Sequence, residues 1–79
     1  MATAIAQDAR THIEWERNFR ILKDEYPLSE INGGASDPIG CERNWRIWHD
    51  ENPASEINPN ARNGNQHARN WRILHSELA

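Results

Sequence analysis

ERNFRIL at residues 16–22 recurs as ERNWRIW at 42–48 and as ARNWRIL at 68–74, so each copy begins 26 residues after the last. The agreement extends beyond this phrase, because PLSEIN at 27–32 recurs in the same register as PASEIN at 53–58. Self-similarity at one fixed period is typical of repeat architectures. We therefore predict a single domain over 1–79, built from three units at 1–26, 27–52 and 53–78.

The composition limits the class of protein. Cys41 is the only cysteine, so no intrachain disulfide can form, and a reducing, cytoplasmic location is expected. No segment is apolar enough for a membrane span, and MATAIAQDAR lacks the basic and apolar regions of a signal peptide, so we expect a soluble protein without membrane contact. The net charge of -3 argues against general coating of nucleic acid.

Each unit contains a helix-start signal. Thr11 and Asn63 are followed three residues later by Glu and Gln, as in a capping box, and Asp37 precedes a proline that suits the first helical position. Pro27 and Pro53 disfavour continuation of the first two helices. These signals predict helices over 12–25, 38–51 and 64–78.

The predicted helices carry apolar groups on two sides. One stripe has the four- and three-residue spacing of a buried helix face. Its members are Trp15, Phe19, Leu22 and Tyr26, then Cys41, Trp45 and Trp48, then His67, Trp71, Leu74 and Leu78. Ile21, Ile47 and Ile73 lie almost opposite this stripe, and such helices are typical of stacked units.

The segments between the helices complete the fold prediction. Ser29 and Ser55 suit a helix N-cap, so we predict a short helix or turn over 29–33 and 55–58, with an isoleucine in each filling the gap between long helices. The chain is thus predicted to be all-α, with three tandem 26-residue helical repeats. The repeats form either a short solenoid or a compact pseudo-threefold bundle.

Arginine and asparagine recur inside the repeated phrase, and two interpretations stay open. In the structural one, Glu16, Arg20 and Asp24 form a ladder of i, i+4 ion pairs that recurs in the second unit, while the asparagines bond loop backbone. In the functional one, the arginines and asparagines line one surface and contact an acidic partner or successive nucleotides.

The third unit departs from this ladder. Ala68 and Ser76 replace the two acidic residues, so Arg72 loses both helical partners, and this unit alone is net positive. In the functional interpretation, a binding surface lies on the arginine rows and is centred on the third unit; in the alternative, the terminal repeat has simply drifted in sequence. The candidate binding residues are Arg17, Arg20, Arg43, Arg46, Arg62, Arg69, Asn70 and Arg72.

Metal binding and catalysis find little support. Cys41 and His49 are eight residues apart, as are His67 and His75, which is not the spacing of ligand pairs on one helix. No glycine-rich phosphate loop is present, and several of the hydroxyl side chains are assigned to caps. We expect no cofactor, no metal and no enzymatic activity.

The expected function is a small protein-binding repeat module, an adaptor or inhibitor of a larger protein machine. Because the predicted repeats lack dedicated capping units, self-association into a homo-oligomer is included in this expectation. One alternative is a nucleic-acid binder that uses the arginine and asparagine rows together with tryptophan stacking. Another is a structural protein that assembles head to tail.

Overall fold

Three helices make up the regular structure of residues 3–79, the part of the chain that the computed structural model describes. Helix α1 spans His12–Glu25, α2 spans Pro38–Glu51 and α3 spans Gly64–Leu78. No strand occurs in this part of the chain, so the all-α prediction is confirmed. The predicted bounds of the three helices also agree with those in the structure. Met1 and Ala2, which begin the predicted unit 1–26, lie outside the described residues.

Side-chain caps fix the start of each helix. The Thr11 hydroxyl accepts a 3.3 Å hydrogen bond from the Glu14 N–H, and Asn63 and Asp37 do the same for the third residue of α3 and α2. The Glu14 carboxylate in turn accepts from the N–H groups of Thr11 and Arg10, and these bonds lower the pKa of Glu14. Each cap satisfies donors that have no partner inside the helix.

The helix ends follow from the two prolines. The Tyr26 N–H makes the last bond of α1, to the Leu22 carbonyl oxygen, and the Asn52 N–H makes the matching bond of α2 to Trp48. Pro27 and Pro53 come next and have no N–H with which to continue.

Three aromatic rings, one from each helix, meet at the centre of the core. The ring centroids lie 5.2 Å apart for Phe19 and Trp45, 4.6 Å for Phe19 and Trp71, and 4.5 Å for Trp45 and Trp71. These residues are at most 1% exposed, and their tilted ring geometry is the preferred one for aromatic pairs. Each helix therefore contacts both of the others.

This contact bears on the two predicted arrangements. An open stack of three units would separate α1 from α3 by the middle unit, whereas Phe19 and Trp71 are in direct contact. The radius of gyration of 10.8 Å is close to the value of about 11.6 Å expected for a compact chain of this length. The chain is a compact globule with extents of 27 × 22 × 20 Å.

A short helix or turn was predicted over 29–33 and 55–58; no helix forms there, and these segments contain only turns and irregular backbone. The Ser29 hydroxyl, which was expected to cap a helix, donates instead to the Glu51 carboxylate at 2.6 Å. The isoleucines of these segments are nevertheless buried as predicted: Ile31 and Ile57 are each 3% exposed. The sequence pattern therefore predicted correctly that Ile31 and Ile57 are buried, but it did not predict the backbone conformation of their segments.

Two members of the predicted buried stripe differ from expectation. Tyr26 is 39% exposed, and Leu78 is only partly buried. Both lie at the C-terminal end of a helix, where the surrounding elements no longer enclose the stripe. Ile21, Ile47 and Ile73, on the opposite side of the helices, are partly buried and pack against the core.

Candidate functional site

Two of the candidate arginines pair with glutamates on their own helices. Arg20 Nη2 lies 3.2 Å from Glu16 Oε2, and Arg46 Nη2 lies 3.3 Å from Glu42 Oε2. The aspartate four residues further along each helix forms no ion pair in the described part of the chain, so only half of the predicted ladder is present. The Arg20–Glu16 pair is the more exposed of the two, and exposed pairs stabilise a protein by a few tenths of a kcal/mol.

Two more candidate arginines form ion pairs between segments. Arg62 Nε lies 2.9 Å from Glu42 Oε2, at charge-pairing distance but without hydrogen-bond alignment. Arg72 Nε donates to Asp8 Oδ1 at 3.3 Å. Arg72 has no acidic partner on its own helix, as expected, but Asp8 reaches it from the N-terminal segment, so its charge is paired.

The remaining candidate arginines, Arg17, Arg43 and Arg69, form no ion pair with any described residue. All three are exposed, and each lies on a different helix. Their guanidinium groups are the ones that a negatively charged partner would meet without first breaking an ion pair.

A groove along α3 contains two of the candidate residues. Its lining consists of Glu56, Arg69, Arg72, Ile73, Ser76 and Glu77, and its volume is about 530 Å³. Two glutamates stand among the two arginines, so the groove has no excess of either charge. Arg43 lies in a separate, smaller groove on α2 with Glu30 and Ile47.

Asn70 is not on the surface. It is 0% exposed, and its side-chain amide accepts from the Asn58 N–H at 2.8 Å and donates to the Asn58 carbonyl at 2.9 Å. The structural interpretation of the asparagines, that they bond loop backbone, therefore describes Asn70. Because both ends of its amide are engaged, Asn70 is not available to a partner.

The same pair of bonds occurs in the other two helices. Asn44 accepts from the Asn32 N–H at 2.8 Å and donates to the Asn32 carbonyl at 2.9 Å. Asn18 makes both bonds to Ala6, each at 2.8 Å. Each buried asparagine thus supplies the backbone partners that an irregular segment does not receive from a strand or helix.

A second set of contacts joins each loop to the end of the following helix. The Ser29 hydroxyl and the Glu30 N–H donate to the two oxygens of Glu51, at 2.6 and 2.7 Å. The Ser55 hydroxyl donates to Glu77 at 2.7 Å, and the Thr3 hydroxyl donates to Glu25 at 2.8 Å. Sequence reasoning missed these glutamates, although Glu25, Glu51 and Glu77 recur at the 26-residue period.

An apolar groove, here called the Trp48 groove, opens where the end of α1 meets α2. Its lining includes Tyr26, Pro27, Leu28, Trp48, Glu25 and Glu51, and its volume is about 400 Å³. Leu28 is 95% exposed beside it, and the Tyr26 and Trp48 rings are in edge contact at 5.3 Å. Exposed apolar side chains grouped in a concave site are typical of binding surfaces.

The large side chains of this groove do not recur in the other units. The residues one period after Tyr26, Leu28 and Trp48 are smaller or polar, and they lie at the end of α2, in the turn that follows it and in the C-terminal half of α3. They are Asn52, Ala54 and Leu74. Comparison of the copies could have found the groove, since the three bulky residues all belong to one junction.

His67 occupies a polar position inside the core. It is 0% exposed, its Nδ1 accepts a 2.8 Å hydrogen bond from Trp45 Nε1, and its Nε2 has no partner in the described residues. Burial lowers the pKa of His67, and the neighbouring His12 lowers it further, while the Glu42 carboxylate acts in the opposite direction. The imidazole is therefore kept neutral.

The chain offers few groups for nucleophilic or metal chemistry. Cys41 is 1% exposed, and burial, together with the nearby charge of Asp37, raises the pKa of its thiol to about 12. A thiol with so high a pKa is not a nucleophile near neutral pH. Within residues 3–79, no three His, Cys, Asp or Glu side chains come together as they would around a metal ion.

The helices are short compared with the roughly 20 residues of a membrane-spanning helix. The longest, α3, has 15 residues, and none of the helices in the described residues combines the length and apolar character needed to cross a membrane.

Comparison of the chain with protein-family models, with curated proteins and with solved structures found no match. Functional inference therefore rests on the geometry described above.

Proposed function

We propose that this chain is a small, non-enzymatic, cytoplasmic protein-binding module whose contact surface is the Trp48 groove. The observation that supports the proposal is the 95% exposure of Leu28 next to Tyr26 and the edge of Trp48. Burial of a fully exposed leucine against a partner contributes about 2 kcal/mol. Aromatic side chains in such a groove add contact area, and they lose little conformational entropy when a partner binds.

We also propose that the fold is a compact pseudo-threefold bundle of three 26-residue units. Three kinds of contact support this proposal because each recurs at that spacing. They are the central rings of Phe19, Trp45 and Trp71, the asparagine bonds to loop backbone, and the hydroxyl bonds to Glu25, Glu51 and Glu77. Within this scaffold the copies have diverged at one junction, where the Trp48 groove lies.

We favour binding to a partner protein of different sequence over head-to-tail assembly of copies of this chain. Assembly of that kind was expected from unpaired ends of an open array. Here α1 contacts α3 through Phe19 and Trp71, and Asp8 of the N-terminal segment pairs with Arg72. Contacts between the first and third units reduce the surface that an added copy would complete.

A nucleic-acid binder is the second candidate, and the exposed, unpaired guanidinium groups of Arg17, Arg43 and Arg69 favour it. The tryptophan stacking that was expected to accompany these arginines has no support, because the four indole rings are 0–4% exposed. Binding through arginine alone predicts an affinity that falls steeply with salt and falls further when Arg69 is replaced by alanine.

The experiment that tests the proposed function compares Leu28→Asp with Ala54→Asp. Ala54 is the exposed counterpart of Leu28 in the next unit, so both variants add one carboxylate to an exposed turn. Each tagged protein is mixed with an extract of the cells that produce it, and the captured proteins are quantified. We expect Leu28→Asp to lose a partner that wild type and Ala54→Asp retain.

Two results would count against the proposal. If both variants capture the same proteins in the same amounts as wild type, the Trp48 groove is not the contact surface. If treatment with nuclease removes all captured material and Arg69→Ala reduces it, the nucleic-acid candidate is favoured instead.

A further inference from the structure

The rim of the Trp48 groove carries negative charge only. Its two charged side chains are Glu25 and Glu51. Both carboxylates accept hydrogen bonds, but every donor is neutral: a hydroxyl and a backbone N–H in each case. Neither forms an ion pair within residues 3–79, so the two negative charges are not compensated by an arginine or lysine.

One cation lies near this rim without pairing with it. Lys23 donates its Nζ hydrogen bond to the Ser29 carbonyl oxygen, on the loop that also supplies the Ser29 hydroxyl to Glu51. Its ammonium group is not at salt-bridge distance from Glu25 or Glu51. The charge of the rim thus remains negative beside an apolar surface.

A buried polar group at the groove also lacks a partner. Trp48 is 4% exposed, and its indole N–H makes no hydrogen bond to any described residue. An unsatisfied buried donor costs about 1 to 3 kcal/mol. Because the nitrogen itself is buried, the indole N–H signal of Trp48 reports on the packing of a ligand in the groove and not on a direct hydrogen bond to it.

The backbone around the groove is largely engaged. The Ser29 N–H bonds to the Tyr26 carbonyl, the Glu30 N–H bonds to Glu51, and Pro27 has no N–H. A partner strand would therefore find few free donors for main-chain pairing. Recognition therefore has to come mainly from side chains.

We propose that the Trp48 groove binds a peptide segment of a partner protein that carries a lysine or arginine next to an apolar residue. The apolar residue packs on Tyr26 and Leu28, and the cation lies between Glu25 and Glu51. This inference rests on the proposed protein-binding function and adds the chemistry of the bound segment.

The test uses three acetylated, amidated tripeptides: Leu-Lys-Leu, Leu-norleucine-Leu and Leu-Glu-Leu. Norleucine has a linear side chain like that of lysine and no charge. Each peptide is titrated into ¹⁵N-labelled protein, and the four indole N–H signals are followed, with the Trp48 signal assigned from the Trp48→Phe variant. We expect Leu-Lys-Leu to shift the Trp48 signal and to bind about tenfold more tightly than Leu-norleucine-Leu, with Leu-Glu-Leu weakest.

Two controls isolate the charge. The preference for lysine should shrink in about 1 M salt, where exposed charges are screened. Glu51→Gln should lose the preference, whereas Glu77→Gln should keep it, because Glu77 makes the same hydroxyl contact in the third unit and does not line this groove.

The outcomes separate this inference from the proposed function. Equal binding of the lysine and norleucine peptides would overturn the inference and leave an apolar protein-binding groove. The absence of any shift at Trp48 with all three peptides would also overturn it. Failure of the proposed function has a different result, namely equal capture by Leu28→Asp and Ala54→Asp.

Discussion

The indole N–H of Trp45 donates a 2.8 Å hydrogen bond to Nδ1 of His67, and both residues are 0% exposed. Because Nδ1 is the acceptor, the neutral imidazole carries its proton on Nε2. A second proton on Nδ1 would face the donor of Trp45 and would place a charge in the core. The contact thus requires a neutral His67.

The stability of the protein should therefore depend on pH through His67. Its folded-state pKa is lowered from the ordinary value of 6.5, mainly by burial. The unfolded chain takes up a proton on this residue before the folded chain does, so stability is retained above pH 6.5 and is lost as pH falls below it. Urea unfolding between about pH 7.5 and pH 5 measures this loss.

The matched variant for this prediction is His67→Gln, whose side-chain oxygen can still accept from Trp45. We expect His67→Gln to lose less stability than wild type over the same pH range. The other histidines, among them His12 near His67, remain in both proteins. An equal loss in both would show that His67 is not the responsible group.

The asparagine contacts to loop backbone should be important for stability. Asn44→Ala leaves the N–H and carbonyl of Asn32 without their partners, and we expect a loss of about 2 kcal/mol in the free energy of unfolding. Asn65→Ala is the control, because Asn65 is an exposed helical residue and its replacement should change stability by less than about 0.5 kcal/mol. Similar effects of both changes in urea titrations would contradict this role of Asn44.

Two helical glycines should respond oppositely to alanine. A Cβ on Gly40 would lie 2.8 Å from Asp37 Oδ1, the oxygen that caps α2, so Gly40→Ala should displace the cap and cost about 1 kcal/mol. A Cβ on Gly64 has no atom within 4 Å, so Gly64→Ala should stabilise the protein by about 0.5 kcal/mol. Thermal unfolding of the two variants compares them directly, and destabilisation by Gly64→Ala would be the contrary result.

Local signals allowed the helices to be predicted from sequence. The caps at Thr11, Asp37 and Asn63 and the prolines at 27 and 53 act within a few residues, so both ends of α1 and α2 could be placed. The central rings were also expected to be buried, because their spacing along each helix is periodic.

Contacts between distant segments could not be predicted in the same way. Ser29 has the local signature of a helix cap, but Glu51, 22 residues away, accepts its hydroxyl and the segment stays irregular. The pairing of Arg72 with Asp8 requires that the N-terminal segment reach α3, which no local pattern indicates. The Trp48 groove cannot be found from the positions that the copies share, because Tyr26, Leu28 and Trp48 are positions at which they differ.

The most direct test of the account is site-specific photo-crosslinking from the groove. A benzophenone amino acid is placed at position 28 or, as the control, at position 54, its exposed counterpart in the next unit. After illumination in the cells that produce the protein, we expect position 28 to give a crosslink to a different protein at a basic, apolar segment, and position 54 to give none. Crosslinks of equal yield from both positions, or none from position 28, would contradict the assignment of the Trp48 groove as the binding surface.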